Sequence, residues 1–262
     1  MDKCPAEFVD LSGRLADAAG GVIAKYFRQP FDVITKDDDS PVTIADRESE
    51  QVMRDLIEAA FPEHGIVGEE HGTVRPDAEY VWYLDPIDGT KSFICGVPLF
   101  GTLIGLVHNV DGGPSPILGI IDQPIAKERW TGAVGHGADL NGQAITTRAC
   151  AGVDQATLFS TGPEYFDDKS FEAFQRVRAQ SNIARFGGDC YAYGLLASGW
   201  IDLVVEWGLD VYDYCALIPV VEAAGGIVTT WAGKAHAFDG RESIVASGDR
   251  SLHEEVIAIL NN

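Results

Sequence analysis

Hydrophobic positions along this chain change period several times, and the changes outline its elements. Phe8, Leu11, Leu15, Ala18, Ala19, Val22, Ile23 and Phe27 fall on one face of a helix. Asp37-Asp38-Asp39-Ser40-Pro41 breaks the pattern. Val52, Met53, Leu56, Ile57 and Ala60 then form the stripe of a second helix, stopped by Phe61-Pro62. Ile66-Val67 starts a short strand that ends in Gly68-Glu69-Glu70. The β-branched and aromatic run Tyr80-Val81-Trp82-Tyr83-Leu84 predicts a strand, and Asp85-Pro86-Ile87-Asp88-Gly89-Thr90 predicts a tight turn directly behind it. Strand-like runs at 99–108, 116–121 and 128–133 are separated by Asn109, Asp111-Gly112-Gly113 and Gln123-Pro124, so an antiparallel meander is expected.

Beyond the meander the rhythm alternates. Strands are expected at 156–160, 183–186, 201–207, 227–231 and 243–247, and helices at 169–179, 191–197, 214–224 and 251–260. Gly225-Gly226 supplies the stop of the third of these helices. A meander followed by alternating strands and helices implies a layered α/β (α+β) fold. The softest boundary falls in the loop 135–151, and there are no internal repeats or long linkers. At 262 residues and 46% hydrophobic content, the chain fits one large unit with a sizeable core.

Composition then narrows the function. A net charge of −21 argues against nucleic-acid backbones and anionic membranes, which need basic patches. No apolar run approaches the roughly 20 residues that cross a bilayer. Met1-Asp2-Lys3-Cys4-Pro5-Ala6-Glu7 lacks the order of a secretory signal, so a cytoplasmic location is expected. The 5 cysteines are scattered, without a C-x-x-C pair, which argues against a disulfide framework or a zinc site.

The chemistry concentrates in carboxylates. Asp85 and Asp88 stand three apart at the end of a strand, followed by Gly89 and Thr90. With 40 acidic residues, roughly six pairs at that spacing arise by chance, so position and company carry the signal rather than spacing. Oxygen ligands of this kind suit hard divalent cations, and the following N–H groups suit phosphate. The alternative is a β-turn whose Asp side chains bond nearby backbone N–H groups. An acidic pocket repels phosphate unless cations intervene, so an anionic substrate would bring metal with it. Glu69, Glu70, Asp213 and Asp46 share the strand-end or turn context. Asp213 also suits a helix N-terminus, Thr43-x-x-Asp46 a capping box, and Glu69 and Glu70 simple solvation.

Taken together, Gly68-Glu69-Glu70, Asp85-Pro86-Ile87-Asp88-Gly89-Thr90 and Tyr212-Asp213 with Ala223-Ala224-Gly225-Gly226 resemble the inositol-monophosphatase-like, magnesium-dependent phosphomonoesterases. The resemblance runs from the Lys36…Asp46 segment to Gly226. It implies alternating helix and sheet layers of the inositol-monophosphatase/fructose-bisphosphatase type. It also implies a single phosphatase unit with subdomains 1–145, carrying most metal ligands, and 146–262, on the substrate side. By resemblance, Glu69, Asp85, Asp88 and Asp213, with the Ile87 carbonyl, hold two or three Mg2+ ions. Asp46, Thr90 and Glu69 are the catalytic residues, Thr90 and Asp46 orienting the attacking water. Ile87, Asp88, Gly89, Thr90, Asp189, Glu206 and Asp213 bind a small phosphorylated metabolite, and a homodimer is expected.

On the substrate side the chain departs from the inositol-specific pattern. Tyr212 stands where that pattern has Trp, Cys215-Ala216-Leu217-Ile218-Pro219 replaces a small, alanine-rich start, and Gly187-Gly188-Asp189-Cys190-Tyr191-Ala192-Tyr193 carries an additional acid. With Pro98-Leu99-Phe100-Gly101-Thr102 and Asp122-Gln123-Pro124-Ile125, these features resemble the histidinol-phosphatase branch, acting in histidine biosynthesis. An extra carboxylate at Asp189 beside Glu206 favours a cationic leaving group. Asp189 as a helix N-cap is the plain alternative. At the level of function, an inositol or broad sugar-phosphate phosphatase, a phosphoadenosine-phosphate nucleotidase and a non-catalytic divalent-cation module remain as alternatives.

Overall fold

Successive residues of the central strands face two different cores. Ile104 and Ile120 point to one and Leu103 and Ile121 to the other. The computed structural model describes residues 3–30, 33–35, 41–110 and 113–262. The expected break at Asp37-Asp38-Asp39-Ser40, the Lys36 start of the resemblance, the Asp111-Gly112 turn and residues 1–2 lie outside them.

The larger sheet has 8 strands, in the order Gln143–Ala144, Gly137–Leu140, Glu128–Ala133, Gly113–Gln123, Gly101–Val110, Tyr80–Asp88, Gly65–Gly68 and Gly72–Val74. Its centre is the expected antiparallel meander, and Gly65–Gly68 joins Tyr80–Asp88 in parallel. The second sheet has 5 strands, in the order Ile183–Phe186, Thr157–Ser160, Leu203–Leu209, Glu242–Ser247 and Ile227–Thr229.

Helices Ala6–Tyr26 and Ile44–Ala60 close the outer face of the large sheet through Phe8, Leu15, Met53 and Ile57 against Trp82 and Leu106. Helices Asp189–Ala197 and Leu217–Ala223 lie between the sheets, joining Leu103 and Trp130 to Val204 and Ile244. Asp168–Gln180 and Arg250–Leu260 cover the far face of the second sheet. The central strands of these two sheets are therefore covered on each face, in alternating helix and sheet layers, while edge strands such as Ile183–Phe186 and Gly72–Val74 are exposed. No described helix is long and apolar enough to cross a membrane.

Three expectations change. The loop expected over 135–151 contains two strands of the large sheet, Gly137–Leu140 and Gln143–Ala144. The turn expected at Pro86 is a bulge inside a longer strand: pairing with Gly101–Val110 continues to Asp88, its register shifting between Asp85 and Asp88. Proline has no N–H for the ladder, and the bulge absorbs that loss while Thr102 Oγ1 donates to Pro86 O at 2.8 Å. The chain turns at Gly89, whose φ of 85° is costly for residues with a Cβ. The single helix expected over 214–224 is two, Val211–Tyr214 and Leu217–Ala223. Pro219 cannot return a hydrogen bond to Cys215 and is tolerated only in the first turn of a new helix.

The second of these helices sits on bare sheet backbone. Gly105, Gly119 and Gly132 are cross-strand neighbours. A Cβ on Gly119 would stand 2.0 Å from Ala216 O, and one on Gly132 2.4 Å from Pro219 O.

Candidate active site

Parallel pairing aligns Gly68 with Leu84, which brings Glu69 alongside Asp85, with Glu69 N donating to Leu84 O at 3.2 Å. Asp213 arrives from the other sheet, on the short helix after Leu203–Leu209. One carboxylate oxygen from each of Asp85, Asp88 and Asp213 lies within 4.8 Å of the other two. The site forms where strand ends of the two sheets meet.

Each acid is held by a backbone N–H. Ile87 N donates to Asp85 Oδ1 at 3.0 Å, Cys190 N to Asp88 Oδ2 at 2.5 Å and Asp210 N to Asp213 Oδ2 at 2.8 Å. Burial, then the charges of Glu69, Asp88 and Asp213, pushes the Asp85 carboxyl well above its usual range. Burial, then Asp88 and Glu69, does the same to Asp213, and burial raises Asp88 to about 6. Such a cluster ionises fully only with a counter-charge among its oxygens. Its all-oxygen donor set fits a hard divalent cation such as Mg2+.

Thr90 lines a cavity over this cluster, while Asp46 is buried outside the lining and feels the charges of Glu70 and Glu69. Asp46 is the third residue of the Ile44–Ala60 helix and closes a capping box: its Oδ2 accepts from Thr43 N at 2.8 Å and Thr43 Oγ1 at 2.6 Å. Burial raises it to about 6, partly offset by those bonds. Thr90 Oγ1 donates to the Ile87 carbonyl at 3.0 Å. No hydrogen bond joins Thr90 to Asp46 among the described residues.

That cavity, of about 470 Å³, opens over the acids and is lined also by Lys91, Thr161, Asp189, Glu206 and Tyr212. Asp189 is the first residue of its helix, whose N-cap is Gly188, and Ser92 Oγ donates to its Oδ2 at 3.2 Å. Burial, then Asp88, raises its carboxyl to about 7. Glu206 is buried, and its Oε1 accepts from Thr161 N at 2.8 Å and Thr161 Oγ1 at 2.9 Å. Ser160 Oγ reaches its Oε2 at 3.2 Å, and burial raises the acid to about 8.

Reading the sequence alone passed over Thr161 and Ser160, which hold Glu206, and also Lys91. The Lys91 ammonium stands 3.5 Å from Glu164 and 4.5 Å above the Tyr165 ring. Lys91 had a signal, standing directly behind Thr90. Ser160 and Thr161 had none beyond their place at a strand end.

The inositol monophosphatase family profile matches residues 5–262. A bifunctional phosphatase of Arabidopsis thaliana, IMPL2, described as chloroplastic, is 48% identical over 97% of this chain and 75% of its own. A histidinol-phosphatase of Chlorobaculum parvum is 37% identical over 97% of this chain and 96% of its own. The structure of an inositol monophosphatase from Zymomonas mobilis superposes with a TM-score of 0.89 at 44% identity, covering 98% of both chains. With its site geometry and a match that runs the length of the chain, this protein belongs to the inositol monophosphatase family of phosphatases.

Proposed function

We propose that the chain is a Mg2+-dependent phosphomonoesterase that hydrolyses L-histidinol phosphate to L-histidinol and phosphate. One observation carries the substrate: the Asp189 carboxylate packs on Gly89, whose Cβ would stand 2.9 Å from Asp189 Oδ2. A negative group at that turn favours a leaving group with an ammonium over a neutral polyol. Similarity to the Chlorobaculum parvum histidinol-phosphatase supports the same substrate.

In this reading water oxygen bonds to phosphorus as the ester P–O bond breaks, and the leaving oxygen takes a proton to become the alcohol. Glu69, Asp85, Asp88 and Asp213, with the Ile87 carbonyl, would hold the two or three Mg2+ ions. Bound there, Mg2+ supplies Lewis-acid charge for the phosphate oxygens and acidifies water near neutral pH. Thr90 Oγ1 and the Asp46 carboxylate orient the attacking water, Thr90 turning its hydroxyl from the Ile87 carbonyl to do so. The Gly89 and Thr90 N–H groups face the phosphate, Asp189 receives the ammonium, and Glu206 and Asp213 line the leaving-group side.

Hydrolysis of inositol 1-phosphate is the second reading, favoured by the 44% identity to the Zymomonas mobilis protein. The test is kcat/KM for both esters, with and without Mg2+, in wild type and Asp189→Ala. The variant should lose about 1.5–3 kcal/mol of transition-state stabilisation, roughly tenfold to 150-fold, for histidinol phosphate alone. Equal losses on both esters would remove Asp189 from substrate recognition. Absence of phosphate release from either would favour a divalent-cation-binding module.

A further inference from the structure

The loop that carries Glu69 is fastened to one face of the Ile44–Ala60 helix, and the fastening is built around a buried charge. Glu50 is 0% exposed. Its Oε2 accepts from Glu70 N at 2.7 Å, and its Oε1 accepts from His71 N at 3.1 Å and from Arg54 Nε at 2.7 Å. Arg54 Nη2 continues to the Gly72 carbonyl. Arg47, three residues before Glu50, adds its carbonyl to His71 Nε2 at 3.0 Å and brings its Nε to 3.9 Å from Glu70. Arg47, Glu50 and Arg54 stand at the i, i+3, i+7 spacing of one helix face. Strand residue 68 is glycine for the same reason: a Cβ there would stand 2.0 Å from Glu50 Oε1.

A buried ion pair is a poor way to gain stability, because desolvation consumes most of the attraction. What this one provides is geometry. Two N–H groups and a guanidinium converge on one carboxylate, and charge-assisted bonds of that kind are short and directional. They fix residues 70–72, and therefore the exit direction of Glu69, before any cation arrives. The helix that does this also holds Asp46 one turn earlier.

We propose that Glu50 is a positioning residue, which presets the 69–72 loop so that Glu69 meets divalent cations without rearrangement. This rests on Glu69 being a metal ligand. Groups that orient ligands from behind typically change metal affinity 10–100-fold when removed.

The test is Mg2+ binding to purified Glu50→Gln by calorimetric titration, together with the rise in unfolding temperature on adding Mg2+, with Glu69→Gln as reference. Glu50→Gln should bind Mg2+ about 10–100-fold more weakly and regain most of its kcat at saturating Mg2+. Lower stability of the metal-free variant with wild-type Mg2+ affinity would make Glu50 merely structural and overturn the proposal. If Glu69→Gln binds Mg2+ as wild type does, the ligand assignment itself fails and the proposal falls with it. Should Glu50→Gln not fold, amide hydrogen exchange on wild type decides. The Glu70 and His71 amides should be protected in metal-free protein and unchanged by Mg2+. Protection that appears only on adding Mg2+ would mean that the cation, not Glu50, organises the loop.

Discussion

Glu206 shows how burial and hydrogen bonding pull one carboxyl in opposite directions. Three donor contacts from Ser160 and Thr161 favour its charge, yet burial dominates and lifts it from 4.5 to about 8. The folded state therefore keeps a proton that the unfolded chain has released, and stability falls as pH rises from about 4.5 to about 8. Glu206→Gln keeps the acceptor for Thr161 and can donate to Ser160 Oγ. It should unfold at a higher temperature than wild type at pH 8 and at nearly the same temperature at pH 5, by calorimetry. An equal difference at both pH values would mean that Glu206 is not held protonated. At this scale the strand-end setting of Asp85 and Asp88 was legible, whereas Glu69 and Asp213 stood out only through the resemblance of their motifs to a known family. Glu50 and Arg54 were not legible, since polar residues at i, i+4 on a helix read as a solvated face.

Among the elements, the seat of the Leu217–Ala223 helix leaves no room for a side chain. Gly119 and Gly132 seat the start and body of this helix, Gly105 seats Cys215-Ala216 just before it, and the short helix Val211–Tyr214 presents Asp213. Gly119→Ala places a methyl where Ala216 O stands, so the helix must lift. Overpacking of this kind typically costs about 1–3 kcal/mol, and the midpoint of urea unfolding should fall accordingly. Activity should drop further than stability alone explains, because Asp213 moves with the helix. A midpoint within error of wild type would mean that the sheet, not the helix, yields. Periodicity located most strands and helices to within a few residues. It missed the break at Cys215-Ala216 because Pro219 stands within an otherwise continuous apolar run. It read Pro86 as a turn because a bulge and a turn use the same residues, and only the partner strand distinguishes them.

For the whole molecule, a charge of −21 and a carboxylate cluster at the junction of two sheets act in the same direction. Mutual repulsion weakens the metal-free fold. A cation that binds only the folded state at 100 times its Kd adds about 2.7 kcal/mol. In a chain of this size that corresponds to roughly 5–10 °C in Tm. Mg2+ should raise Tm by that amount in wild type, NaCl of equal ionic strength by far less, and Mg2+ on Asp88→Asn little more than NaCl. Equal effects of the two salts would assign the stabilisation to screening of the surface. The layered architecture was legible from the order of elements. That the meeting of two sheets makes the site was not, because Asp88 and Asp213 are joined only by tertiary packing.

Asp88 receives from Cys190 both a thiol contact and a main-chain N–H at 2.5 Å. Any residue except proline can supply the N–H. Cys190→Ala therefore removes the thiol contact and leaves the main-chain bond that orients the acid, whereas Cys190→Pro removes both. The orientation of Asp88 thus has a backbone anchor that survives exchange of the side chain next to Asp189.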